Sequence, residues 1–151
     1  MTNQEQTIGR WISILYRYGQ LYVSKKLEPY NIGRAQYVIL LALYRKGGIK
    51  QEELVDYLKI DKGSIAKSIR KLEKESYIQR SIDLDDKRAN KVFLTQKALD
   101  IMPLVLDAIK NWEEIIISGL SEGEKQSIEN SLHKMAKKAY DIKTYGEENI
   151  K

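Results

Sequence analysis

Two short amphipathic runs, 51–58 and 62–75, are separated only by Lys59-Ile60-Asp61, and this pair restricts the fold more than any other stretch of the chain. Leu54 and Leu58 stand four residues apart in the first run, while Ile65, Ile69 and Leu72 fall at i, i+4 and i+7 in the second. Both are the spacing of a buried helical stripe. Asp61 is placed to cap the second run, because its carboxylate can accept from the free N–H groups of a first helical turn. Two short helices joined by so tight a turn outline a helix-turn-helix.

The next twenty residues reinforce that outline. Residues 77–82 and 91–94 have strand propensity, and the intervening 83–90 are polar except for Leu84 and Ala89. The spacing predicts a two-stranded hairpin with a projecting tip. A lone hairpin is marginal in water, so it must pack on the helices.

Amphipathic helices flank this unit on both sides. Ile8, Trp11, Ile12, Leu15, Tyr22 and Val23 recur at helical spacing, and Pro29 ends that helix nearby. A second helix over 34–46 carries a stripe of Val38, Leu41, Ala42 and Arg45, with Ile39, Leu40 and Leu43 on other sides. A helix apolar nearly all round belongs at the centre of a domain, and Gly47-Gly48 stops it. Thr95 caps a long helix to about residue 118, with Ala98, Met102, Val105, Ile109, Trp112 and Ile116 on its apolar side. Pro103 either kinks this helix or marks the start of its regular part. Ser121 and Glu124 form a capping box that opens a last helix bearing Ile128, Leu132, Met135 and Ala139. The expected fold is mainly α with a small β-hairpin wing.

Composition narrows the chemistry. The chain has no cysteine, and His133 is its single histidine. Disulfides and thiolate catalysis are thereby excluded, and a His/Cys metal site loses nearly all its ligands. No Gly-rich phosphate loop, Ser/His/Asp set or paired-carboxylate motif stands out, so the reading is of a non-enzyme without metal or cofactor. No apolar run approaches the roughly 20 residues of a membrane span, and MTNQEQTIGR lacks a signal-peptide core. A cytoplasmic protein with no membrane association is expected. The net charge is +5, and residues 62–91 hold nine Lys/Arg against five Asp/Glu, so this one region carries most of the surplus. That suits a phosphate-facing surface, although an ordinary solvated face would carry the same charges.

On a helical wheel the residues opposite Ile65, Ile69 and Leu72 are Gly63, Lys67, Arg70 and Lys74. Ser64 and Lys71 occupy one shoulder and Ala66 the other, while Glu73 and Glu75 fall toward the buried stripe. The basic residues thus gather on the face that can enter a major groove, which admits one helix. At the hairpin tip, Lys87 and Arg88 are placed to approach a narrow minor groove. Asp86 can hold Arg88 or the loop itself through a charge-assisted bond.

The run Asp86-Lys87-Arg88-Ala89-Asn90-Lys91-Val92-Phe93-Leu94-Thr95 resembles D-x-R-x-x-x-x-x-L-T, the wing signature of the MarR (multiple antibiotic resistance regulator) family. Asp61 to Lys67 with Arg70 to Lys74 is similar to that family's recognition helix, and Leu120 to Glu124 to the opening of its last helix. Gly63 and Ala66 depart from the usual hydroxyl residues of the reading face, and Ser76 stands where a helix-ending glycine is common. The resemblance implies a winged helix-turn-helix over 31–95, with dimerisation helices at 1–30 and 96–151. It implies a homodimer on a pseudo-palindromic duplex, read by Lys62, Ser64, Lys67, Arg70, Lys71 and Lys74 and, from the wing, Lys87 and Arg88.

It implies further a repressor released by a small anionic or aromatic ligand. Arg17, Tyr16 and Tyr37 are the ligand residues expected, since arginine beside tyrosine suits a carboxylated ring; the same tyrosines would also serve as core and interface residues. Two other readings stand beside this one: a winged helix that binds another protein, and a DNA-binding regulator with no effector.

Overall fold

The computed structural model describes residues 7–82, 84–85 and 90–146. Its elements run α1 (Ile8–Leu27), a 3-10 turn (Glu28–Tyr30), α2 (Arg34–Lys46), β1 (Ile49–Lys50), α3 (Gln51–Leu58) and α4 (Lys62–Lys74). Beyond them lie β2 (Ile78–Ile82), β3 (Asn90–Leu94), α5 (Gln96–Ile117) and α6 (Glu122–Tyr145). The chain divides into two compact units, Met1–Trp112 and Glu113–Lys151. Among the described residues no helix is long and apolar enough to cross a membrane.

The core of the first unit is built round α2, as its apolar circumference foretells. Ile39, Leu40 and Leu43 are fully enclosed, each such burial contributing about 1.5–3 kcal/mol. The stripe read from sequence is displaced: Arg45 is exposed, Val38 and Leu41 are half-buried, and only Ala42 of that set is fully enclosed. With apolar residues on every side, periodicity alone does not choose the face that neighbours will cover. Around α2 pack Leu54 of α3, Ile65, Ile69 and Leu72 of α4, and Val92 of β3. Val23 and Leu27 from α1, and Ala98, Met102 and Val105 from α5, complete this core. α2 ends at Gly47, whose φ of 75° favours a residue without a side chain. Pro103 lies inside α5, which is helical from Gln96 onward, so it does not mark that helix's start. Near the far end of the unit, a Cβ at Gly19 would stand 2.7 Å from Nε1 of Trp112, so glycine here lets the indole lie against α1.

The wing is three-stranded rather than a simple hairpin, in the order β1-β3-β2 and antiparallel throughout. Ile49 and Lys50 pair with Val92 and Lys91. Two residues are too few to display strand periodicity, so β1 leaves no mark in the sequence pattern. β2 begins one residue later than expected, because the Tyr77 N–H is taken by the Leu72 carbonyl in the turn out of α4; the buried Tyr77 donates its hydroxyl to the Tyr30 carbonyl at 2.8 Å.

The link from α4 to β2 is better defined than a serine at its turn suggests. Ser76 adopts φ 62°, and the N–H groups of Ser76 and Tyr77 donate to the carbonyls of Glu73 and Leu72. Thr95 Oγ1 donates to the Ser76 carbonyl at 2.7 Å, and Lys97 Nζ to that of Glu75 at 2.6 Å. Left-handed backbone strains an L-residue and not glycine. Ser76→Gly is therefore expected to stabilise the protein by roughly 0.5–1 kcal/mol. Urea unfolding checks this, and an unchanged or lowered midpoint contradicts it.

In the second unit, Ser121 caps α6: its hydroxyl accepts from the Glu124 N–H at 3.2 Å and Glu124 Oε2 accepts from the Ser121 N–H at 2.7 Å. Hydrogen bonding from the Ser121 N–H, and then from its hydroxyl, holds the Glu124 carboxyl below its ordinary range. Ile128, Leu132 and Met135 lie along α6 as an exposed apolar stripe.

Candidate nucleic-acid interface

The second helix of the helix-turn-helix is pinned at its start. Lys59, with φ 56°, turns the chain out of α3, and Asp61 Oδ1 accepts from the Ser64 N–H at 2.9 Å. Hydrogen bonds from the Ser64 hydroxyl, and then from its N–H, hold the Asp61 carboxyl below the usual aspartate range. Because the folded value is lowered, this cap is intact above the ordinary aspartate range and is lost as pH falls through the depressed value.

α4 then sorts its residues as the wheel requires. Ile65, Ile69 and Leu72 are buried, with Ser68 beside them, while Lys62, Ser64, Lys67, Arg70, Lys71 and Lys74 are all exposed. The acids are drawn aside. Glu73 accepts from Arg80 of β2 through both oxygens, at 2.8 Å to Nε and 2.7 Å to Nη2. Glu75 accepts from Asn31 at 3.5 Å. The outcome is a helical face of cations and small residues, shaped to approach phosphates and base edges. Asp86, Lys87 and Arg88 lie outside the described residues.

Arg80, which the sequence reading did not single out, is what holds Glu73 aside from the basic face of α4. Its guanidinium also donates to Gln51 Oε1 at 3.5 Å. The available signal was its place between Ile78 and Ile82 in a period-2 strand, which puts the three on one face of β2.

Two hollows in the first unit bear on a ligand. The larger, of about 650 Å³, is lined by Tyr18, Tyr22 and Trp112 together with Lys25, Arg34 and Lys71. The Tyr22 and Trp112 ring centroids are 5.6 Å apart. Lys71 thus faces this hollow as well as standing on the shoulder of α4. Arg17 lines the second, of about 530 Å³, with Arg10, Ile14, Tyr18 and Leu21. Tyr16 is exposed, and Tyr37 is a core residue whose hydroxyl is pushed up to about 12, chiefly by burial and then by neighbouring Tyr16. Neither tyrosine lines either hollow. Among the described residues no three His, Asp or Glu side chains stand together as metal ligands.

Known proteins agree with this architecture. The MarR family model matches residues 32–89. The HTH-type transcriptional regulator YybA of Bacillus subtilis is 34% identical over 112 residues, covering 74% of this chain and 75% of its own. A MarR transcriptional regulator from Methanosarcina mazei Go1 superposes with a TM-score of 0.85 at 46% identity, covering 89% of this chain and 97% of its own. A MarR-family regulator from Listeria monocytogenes, solved with a 26mer DNA, gives 0.82 at 25% identity and 97% coverage of both chains. With a winged helix-turn-helix at its centre and relatives of this kind, the chain belongs to the MarR family of transcription regulators, and its work is regulation rather than catalysis.

Proposed function

We propose that this regulator is a homodimer that reads a pseudo-palindromic duplex and acts as a repressor released by a small anionic or aromatic ligand. The exposed basic face of α4, with its acids held aside by Arg80 and Asn31, is the observation that carries the DNA reading. The similar Listeria regulator solved with DNA supports it. The dimerisation helices are those of residues 1–30 and 96–151, and two-fold symmetry sets the half-sites about one helical turn apart. The test is a mobility-shift titration of a duplex selected by the protein from a random library, repeated across a salt series. Log affinity is expected to fall linearly with log salt, with a slope near −0.9 for each neutralised phosphate. Absent or salt-independent binding favours the reading in which the wing and helix bind another protein.

The 650 Å³ hollow is the better ligand site, because its aromatic walls and its three cations, set against the single carboxylate of Glu28, suit a carboxylated ring. Lys71 belongs to α4, so ligand and DNA would bias the same helix. Adding a hydroxybenzoate to the protein–DNA complex is expected to release the duplex. Lys25→Ala should blunt that release; blunting by Arg17→Ala instead moves the ligand to the second hollow. No release by any hydroxybenzoate favours a regulator without such an effector.

A further inference from the structure

Arg80 joins three elements at one point. Its fork takes both Glu73 oxygens on α4 at 2.7 and 2.8 Å, and its remaining nitrogen reaches Gln51, the first residue of α3, at 3.5 Å. Its position on the strand gives that contact leverage. In β2, Ile78, Arg80 and Ile82 pair with Leu94, Val92 and Asn90, and alternate residues share one face. Along that face Ile78 is buried at 3% exposure, while Arg80 and Ile82 are both exposed as whole residues, Ile82 at 65%; the Arg80 side chain itself is drawn down to 29% by its contacts. Arg80 is thus the point, beyond buried Ile78, at which side-chain bonds tie the exposed part of β2 to α3 and α4.

We infer that Glu73, Arg80 and Gln51 form a brace that holds the wing at a set angle to the recognition helix, making them positioning residues for DNA specificity. The inference rests on the DNA reading proposed above for α4 and the wing. A planar guanidinium in a two-bond fork fixes direction as well as distance, which a lysine's point charge does not. With both side chains about one-third exposed, the pair adds little to global stability, so its worth lies in orientation. A random duplex needs only phosphate neutralisation, whereas a specific site must receive the helix and the wing together. A loosened wing must be ordered at the moment of binding, and that ordering cost falls on the specific complex.

The test compares a library-selected duplex with its scrambled permutation, for the parent, Glu73→Gln and Arg80→Lys. Glu73→Gln removes a negative charge beside the basic face, so by charge alone it tightens binding to every duplex. The brace requires the opposite for the selected duplex: a loss of roughly five-fold, with scrambled DNA bound as well as before or better. Arg80→Lys keeps its charge and breaks the fork, so it should show the same selective loss with an unchanged salt slope. Tighter binding of both duplexes by Glu73→Gln, or parental discrimination by Arg80→Lys, overturns the brace. Because the two substitutions act on opposite partners, either one decides if the other fails to fold. A parent that binds no duplex overturns the DNA reading and the brace together, whereas a binding parent with unaffected variants overturns the brace alone.

Discussion

Lysine at Leu132 and Met135 together is expected to yield a folded monomer that binds its selected operator about 10²–10⁴-fold more weakly than the parent. Both side chains are exposed in the single chain, at 48% and 40%, on a stripe that includes Ile128. Trp11, Ile12 and Leu15 form a second exposed apolar run on α1. Lysine is a good helix former, so the isolated fold loses little at such positions. An interface that buried these side chains would have to bury two unpaired charges on each protomer, which is costly. A monomer engages one half-site at a time and forfeits the effective concentration that links two. Sedimentation at micromolar concentration and operator titration read the two effects. A dimer that survives both substitutions places the interface elsewhere, and a monomer with parental affinity removes the two-half-site geometry.

Lys67→Ala is expected to weaken operator binding by roughly 1–3 kcal/mol and random DNA by less, shrinking the ratio between them. Lys67 is exposed midway along α4 and two residues from buried Ile65 and Ile69, so its truncation leaves the core intact. From the middle of a helix in the major groove a side chain reaches base edges, and loss of such a contact is felt where the bases match. Arg88, whose role follows from the wing resemblance, gives the contrasting case. Arg88→Ala should weaken both duplexes more evenly and lower the salt slope by about one unit. Titrations of operator and scrambled duplex at several salt concentrations separate the two. If Lys67→Ala matches the parent on operator, α4 is not the reading helix.

The sequence by itself determined the helix caps and the faces of the amphipathic helices. The caps at Asp61 and Ser121, the ends of α2 and α3, and the division of α4 into buried and basic faces follow from bonds and spacings within a few residues. A helix records in its own periodicity which side it buries, so the reading face of α4 was legible. Where α2 is apolar nearly all round, that record is ambiguous, and the packing of α3, α4 and β3 chose the face. Long-range partners leave no such record. Ile49 and Lys50 become a strand only because Val92 and Lys91, more than forty residues later, offer their backbone. Arg80 meets Glu73 and Gln51 only because the register of β2 on β3 carries it to them. The larger hollow draws Tyr22, Arg34, Lys71 and Trp112 from four separate helices, and Ser76 accepts a left-handed turn in a segment that Thr95 and Lys97 tie down. Each of these depends on which surfaces meet when the helices pack, a choice made by shape and burial across the whole domain and written in no single stretch of it.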